Sequence, residues 1–155
     1  MTWTALCIVF AMNIGNTSAD IQHRTKVCQE LVVEAKKAKA PVEEVLAISW
    51  REAGLRRDIV SHKGAVGPLQ ILPRWHCPRK TAKGCDLFKY GVLAWLKYKK
   101  KYKSEGRLGA LCHYNSGNTC GKVSKQYAKD VNEKIHELLR MKKRQKRGKK
   151  HGSPH

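Results

Sequence analysis

Apolar positions first recur at helical steps between Gln22 and Ala38, where Val27, Leu31, Val32, Ala35 and Ala38 fall three and four residues apart, as a half-buried helix requires. Pro41 starts a second helix, "PVEEVLAISWREAG", with proline at a favourable first position, Glu43 and Glu44 in the first turn and Gly54 at its end. Residues 55 to 85 lack sustained periodicity and are rich in Gly and Pro, so they read as loops with one short helix and room for a small hairpin. The helical pattern returns in "DLFKYGVLAWLKYKKKY", with Asp86 as its cap, and in the shorter "RLGALCHY". In the last helix Val123, Tyr127, Val131, Ile135, Leu138 and Leu139 make one apolar stripe. The pattern predicts a mainly α, single helical domain with an irregular central segment.

The two ends read differently. An apolar run from about Ala5 to Ile14 is too short to span a bilayer comfortably, but it has the length of a signal-peptide core and is followed by small residues ending at Ala19. Residues 1–19 therefore read as a signal peptide and the chain as exported, although no Lys or Arg precedes the run. The alternative is an N-terminal helix buried against the domain. Beyond Leu139 the apolar pattern stops, and residues 140–155 read as a mobile basic tail on a domain spanning 20–139.

Charge narrows the partners without choosing one. Lys and Arg number 32 against 12 Asp and Glu, a net charge of +20, and eight of the basic residues lie between Arg140 and Lys150. Such a chain favours polyanions: nucleic acid, an acidic membrane surface or an anionic cell wall. Six cysteines in 155 residues suit an oxidising compartment. If Cys7 leaves with a signal peptide, five remain and at most two internal bridges form. Cys77 with Cys85 is the first choice, and Cys112 with either Cys120 or Cys28 the second. Both close pairs enclose seven residues, where structural zinc knuckles have two to four, so zinc shared with His76 or His113 is disfavoured and no cofactor is expected.

Candidate chemistry centres on Glu52, a carboxylate at the C-terminal end of its helix. The helix dipole there, and the neighbouring Ala53, Leu55, Ile59 and Val60, disfavour the ionised form and predict a raised pKa, suited to a proton donor. "EAGL" at Glu52 to Leu55, "SHKGAVGPLQILP" at Ser61 to Pro73 and "HYNSG" at His113 to Gly117 follow in order. Together they resemble the ESGF-like, SxxGAxGLMQ(I/L)xP and AYNxG stretches of the soluble slt-type lytic transglycosylases, which have a lysozyme-like fold. The resemblance spans residues 41 to about 139. It implies Glu52 as catalytic acid, Ser61 lining the site, and Gly67, Leu69 and Gln70 as turn and cleft wall. Tyr114 and Asn115 would line the cleft, with Gly117 closing the third motif. Ala53 stands where the family has a hydroxyl residue, Pro68 and Leu69 where it has Leu and Met, and His113 where it has Ala; the histidine reads as structural sooner than as a substrate contact.

The activity so implied is cleavage of peptidoglycan glycan strands between N-acetylmuramic acid and N-acetylglucosamine with formation of a 1,6-anhydro product. One glutamate acts first as acid and then as base. Asp58 and Asp86 are the candidates for a second carboxylate, but neither falls in the three motifs, and Asp86 already serves as a cap. The alternatives are a hydrolytic lysozyme-like muramidase and a non-enzymatic polyanion-binding protein, of nucleic acid or of the wall. No recognised nucleic-acid-binding signature is present, and Trp95, Tyr98 and Tyr102 fall at helical steps as core or flanking residues would, so nucleic acid is disfavoured. The basic excess would then tether the protein to an anionic wall or membrane surface. Secretion, conjugation and bacteriophage settings all suit a small enzyme of this type.

Overall fold

A computed structural model describes residues 1–148. Among them are seven α-helices: α1 Trp3–Ile14, α2 Ser18–Lys37, α3 Val42–Ala53, α4 Pro73–His76, α5 Leu87–Lys101, α6 Gly106–Ser116 and α7 Lys122–Gly148. The expected mainly α single domain is therefore present. The room left for a hairpin holds two isolated antiparallel bridges, Val60 with Val66 and Val66 with Ile71, and no strand among the described residues.

Helix α3 runs through the core, with Val45, Leu46, Ala47 and Ile48 fully buried between α2, α7 and the rest of the bundle. Its ends follow sequence chemistry. Pro41 precedes it as cap residue, and Gly54 stops it in the left-handed conformation at φ 58°. The buried Arg24 of α2 donates through Nη1 to the Gly54 carbonyl at 2.7 Å, tying the C-terminal end of α3 to its neighbour. Asp86 caps α5 as expected, accepting from the Lys89 amide at 3.1 Å. The stripe on α7 buries Tyr127, Val131, Ile135 and Leu138, but Val123 is 82% exposed because it sits in the first turn, before the helix meets the core.

Both chain ends are helical in the described residues. The segment read as a signal peptide forms α1, which buries Trp3, Leu6, Phe10 and Ala11 and is bonded to α2 through Cys7–Cys28. A helix apolar on every side suits a protein core as well as it suits an export signal, so the run alone could not separate the two. In the chain with Cys7 present, six cysteines form three bridges: Cys7–Cys28, the expected Cys77–Cys85, and Cys112–Cys120. At the other end α7 continues past Leu139 to Gly148, because Met, Lys, Arg and Gln all favour helix. Met141 packs against the core, and the Lys142 ammonium lies 4.1 Å from the Trp3 ring centroid. The mobile tail expected from residue 140 is thus helical to 148, and its remainder, 149–155, lies outside the described residues. Three disulfides are the bonding of a chain outside the reducing cytoplasm. No described helix is long and apolar enough to cross a membrane.

Candidate active site

The C-terminal end of α3 places Glu52 at the bottom of a small cavity of about 190 Å3, between the irregular central segment and α6. Ser61, Ala65, Gln70 and Ile71 from the central segment form one side, and Tyr98, Tyr114 and Asn115 the other. The cavity runs into a wider hollow of about 610 Å3 that shares Lys63, Leu72, His76, Tyr98, Tyr114 and Asn115 with it. The two make one groove with Glu52 at its inner end. Trp75, Lys97 and Lys101 line the outer part together with Gly117.

Hydrogen bonds fix these walls. The Ser61 hydroxyl accepts from the Ala65 amide at 3.0 Å, and the Ser61 amide donates to the Ala65 carbonyl at 2.9 Å, which closes a tight turn. Gln70, at φ 48°, turns its amide nitrogen onto the carbonyls of Ile59 and Gly67 at 2.8 and 2.9 Å, pinning the loop beside Glu52. The Tyr114 hydroxyl donates to the Leu69 carbonyl at 2.5 Å, joining α6 to the central segment across the floor. The Asn115 carbonyl oxygen accepts from the Ser124 hydroxyl of α7 at 2.8 Å.

Six of the eight residues singled out in the sequence thus line the groove: Glu52, Ser61, Gln70, Tyr114, Asn115 and Gly117. Gly67 and Leu69 are among neither set of lining residues. Gly67 is buried at φ 81°, and a Cβ there would meet Leu87 at 3.0 Å. Leu69 is fully buried against Gly91, where an added Cβ would come within 2.6 Å of its Cδ1. Both shape the groove from behind, Leu69 through the carbonyl that Tyr114 holds. His113 is structural, as expected: Nδ1 lies 2.6 Å from the Gly117 carbonyl, Nε2 3.0 Å from Glu105, and the ring stacks on Tyr102.

Sequence reasoning weighed His76 only as a disfavoured zinc ligand and passed over Trp75 and Tyr127 as site residues. The first two lie in an aperiodic stretch where nothing marks a side chain as facing a groove. Tyr127 was counted in the apolar stripe of α7. A tyrosine at a core position still has a hydroxyl to satisfy, and that was the available signal. Here the hydroxyl has no partner at full hydrogen-bonding geometry, yet it lies near enough to the Glu52 carboxylate to stabilise its charge.

Electrostatics at Glu52 follow from this setting. Burial pushes its carboxyl up from the ordinary value to about 7, against the opposing influence of the Tyr127 hydroxyl and the Arg51 guanidinium. Arg51 is itself engaged, with Nε 3.4 Å from Asp130 and its guanidinium over the Tyr127 ring. Burial, with the Glu52 charge second, raises the phenols of Tyr114 and Tyr127 well above their usual range, so both remain protonated donors at neutral pH. Among the described residues lining the groove, Glu52 is the one acidic side chain. Asp86 caps α5 and lines hollows elsewhere, and Asp58 lies exposed outside the groove. A single carboxyl that titrates near neutrality can donate a proton and take one back.

The chain matched no family model, no curated protein and no solved structure with which it was compared.

Proposed function

We propose that the chain is a peptidoglycan lytic transglycosylase of the soluble slt type, acting on glycan strands in the cell envelope or outside the cell. The observation that carries this reading is the single carboxyl, raised to about 7, at the inner end of a groove lined by amide, hydroxyl and aromatic groups. Two-carboxylate glycosidases need a second acid as base or nucleophile across the scissile bond. Without one, a mechanism that uses the sugar's own hydroxyl as nucleophile fits the groove better.

In that mechanism protonated Glu52 gives its proton to the glycosidic oxygen, and the bond from that oxygen to C1 of the N-acetylmuramic acid breaks. The N-acetylglucosamine leaves with a free 4-hydroxyl. Glu52, now a carboxylate, takes the proton from the muramic C6 hydroxyl, whose oxygen bonds to C1. The product is a 1,6-anhydro sugar, Glu52 ends protonated, and no water is consumed. The Tyr127 hydroxyl and Arg51 steady the carboxylate between the two proton transfers. Ser61 keeps its hydroxyl proton and Asn115 its amide nitrogen for the sugars, Tyr114, whose hydroxyl holds the Leu69 carbonyl, adds its ring to the wall, and Gln70, whose amide nitrogen is committed to the backbone, keeps its carbonyl oxygen as acceptor.

Mass spectrometry of the soluble products from purified peptidoglycan tests the reading. Anhydro-ended muropeptides, about 18 Da lighter than their reducing counterparts as loss of one water requires, are expected as the main products. Reducing ends in their place would identify a hydrolase, and no release at all would identify a binding protein.

A further inference from the structure

The outer half of the groove carries a charge that a neutral sugar strand does not call for. Lys97 and Lys101 stand one turn apart on one face of α5, and Lys63 faces the same space from the central segment. All three are exposed, and none is within ion-pair distance of a described carboxylate. What sets them apart from the other lysines is that their side chains converge on one hollow. No acidic side chain lines this hollow, whose volume is about 610 Å3. Beside the lysines stands Trp75, 66% exposed on the short helix α4, an apolar plate at the mouth of a basic recess.

We infer that this outer recess binds the peptide stem of the glycan strand, with its free carboxylates against Lys97 and Lys101 and its aliphatic portions against Trp75. The inference rests on the proposed peptidoglycan substrate. In that polymer the N-acetyl sugars carry no charge, and the carboxylates belong to the short peptides hung from the lactyl groups of muramic acid. A groove with a neutral, hydrogen-bonding inner end and a cationic outer end matches a strand whose sugars are neutral and whose branches are anionic. The substrate class is therefore peptide-bearing strands in preference to strands from which an amidase has removed the peptides.

Binding of soluble strands to Glu52→Gln, which keeps the groove and blocks turnover, tests this separately from catalysis. At low salt, peptide-bearing strands should bind about five- to tenfold more tightly than amidase-stripped strands of the same length. Adding Lys97→Gln and Lys101→Gln should collapse the difference to within about twofold. Lys100→Gln with Lys103→Gln removes the same charge from exposed positions outside the groove and should leave the difference in place. Equal affinity for both strands overturns the inference. So does a preference that survives the Lys97 and Lys101 changes, or one lost equally with the Lys100 and Lys103 changes, which would assign it to net charge. Cleavage by the parent chain reports on the enzyme reading alone: the binding pattern without cleavage removes the enzyme and keeps the recess, and cleavage without the pattern does the reverse.

Discussion

Two glutamates on α3 lie eight residues apart and meet opposite fates. Glu44, in the first turn, is 4% exposed and fully engaged: it accepts from the Trp95 indole at 2.8 Å, and the Lys99 ammonium lies 2.9 Å away, with Arg107 at 3.9 Å. Glu52, in the last turn, sits in a cavity with one weakly placed hydroxyl and a guanidinium already shared with Asp130. Burial alone does not make a catalytic acid. A buried carboxylate surrounded by donors is a structural anchor, whereas one left short of donors holds its proton until the pH is near 7.

The largest effect that would break this comparison is loss of the proton at Glu52. Glu52→Gln should lower peptidoglycan cleavage by about a thousandfold or more, since the amide keeps the shape and cannot transfer a proton. A rate within about tenfold of the parent would remove Glu52 from the chemistry. The same variant also tests the raised pKa through stability. A group whose folded pKa lies above its unfolded value contributes stability at low pH that is lost as the pH rises through about 7. Glu52→Gln should therefore match the parent near pH 4 and exceed it by about 1–2 kcal/mol near pH 8, a value reduced for partial solvent access. Denaturation curves at the two pH values would show it, and a gap that narrows as pH rises would contradict the assignment.

Glu44 should behave in the contrary way. Glu44→Ala leaves the Trp95 indole without its acceptor and Lys99 and Arg107 without their counter-ion, and should cost about 2–3 kcal/mol of stability. A drop in the denaturant midpoint at unchanged slope measures it. Because Trp95 meets Tyr114 edge to face at 5.8 Å, some loss of groove order is expected at temperatures where the variant still folds. A variant as stable as the parent would make Glu44 an ordinary surface group.

The smallest effect concerns Tyr127, which sharpens the difference between the two sites. Its hydroxyl favours ionised Glu52, so Tyr127→Phe should raise the Glu52 pKa and move the alkaline fall of kcat/KM to higher pH, by less than about one unit. A shift to lower pH would mean that the hydroxyl stabilises the protonated acid.

Much of α3 was legible because its signals are local. Pro41 and Gly54 bound it, and the position of Glu52 at its end followed from those two residues. The direction of the Glu52 pKa was also readable, from the helix end and its apolar neighbours. The magnitude was not, because it depends on burial under groups brought by other segments and on the Tyr127 hydroxyl, which arrives from α7. Local signals do not decide where one composition serves two ends. The apolar run of α1 fits an export signal and a core helix alike, and the disulfide from Cys7 to Cys28 pairs residues that no spacing rule would join.

By itself, then, the sequence determined the helices with clear caps, the irregular segment between α3 and α5, the cap at Asp86, the close pair Cys77–Cys85 and the placing of Glu52 at a helix end. Each is governed by residues within a few positions of one another, so chain order carries it. The tertiary structure alone decided that Gly67 and Leu69 stand behind the groove, that Tyr127 turns to Glu52, that α1 packs its apolar face on the core and that Lys63 joins Lys97 and Lys101 around one recess. Those outcomes depend on which faces of distant helices meet, and that is set by packing the whole apolar surface at once rather than by any local pattern.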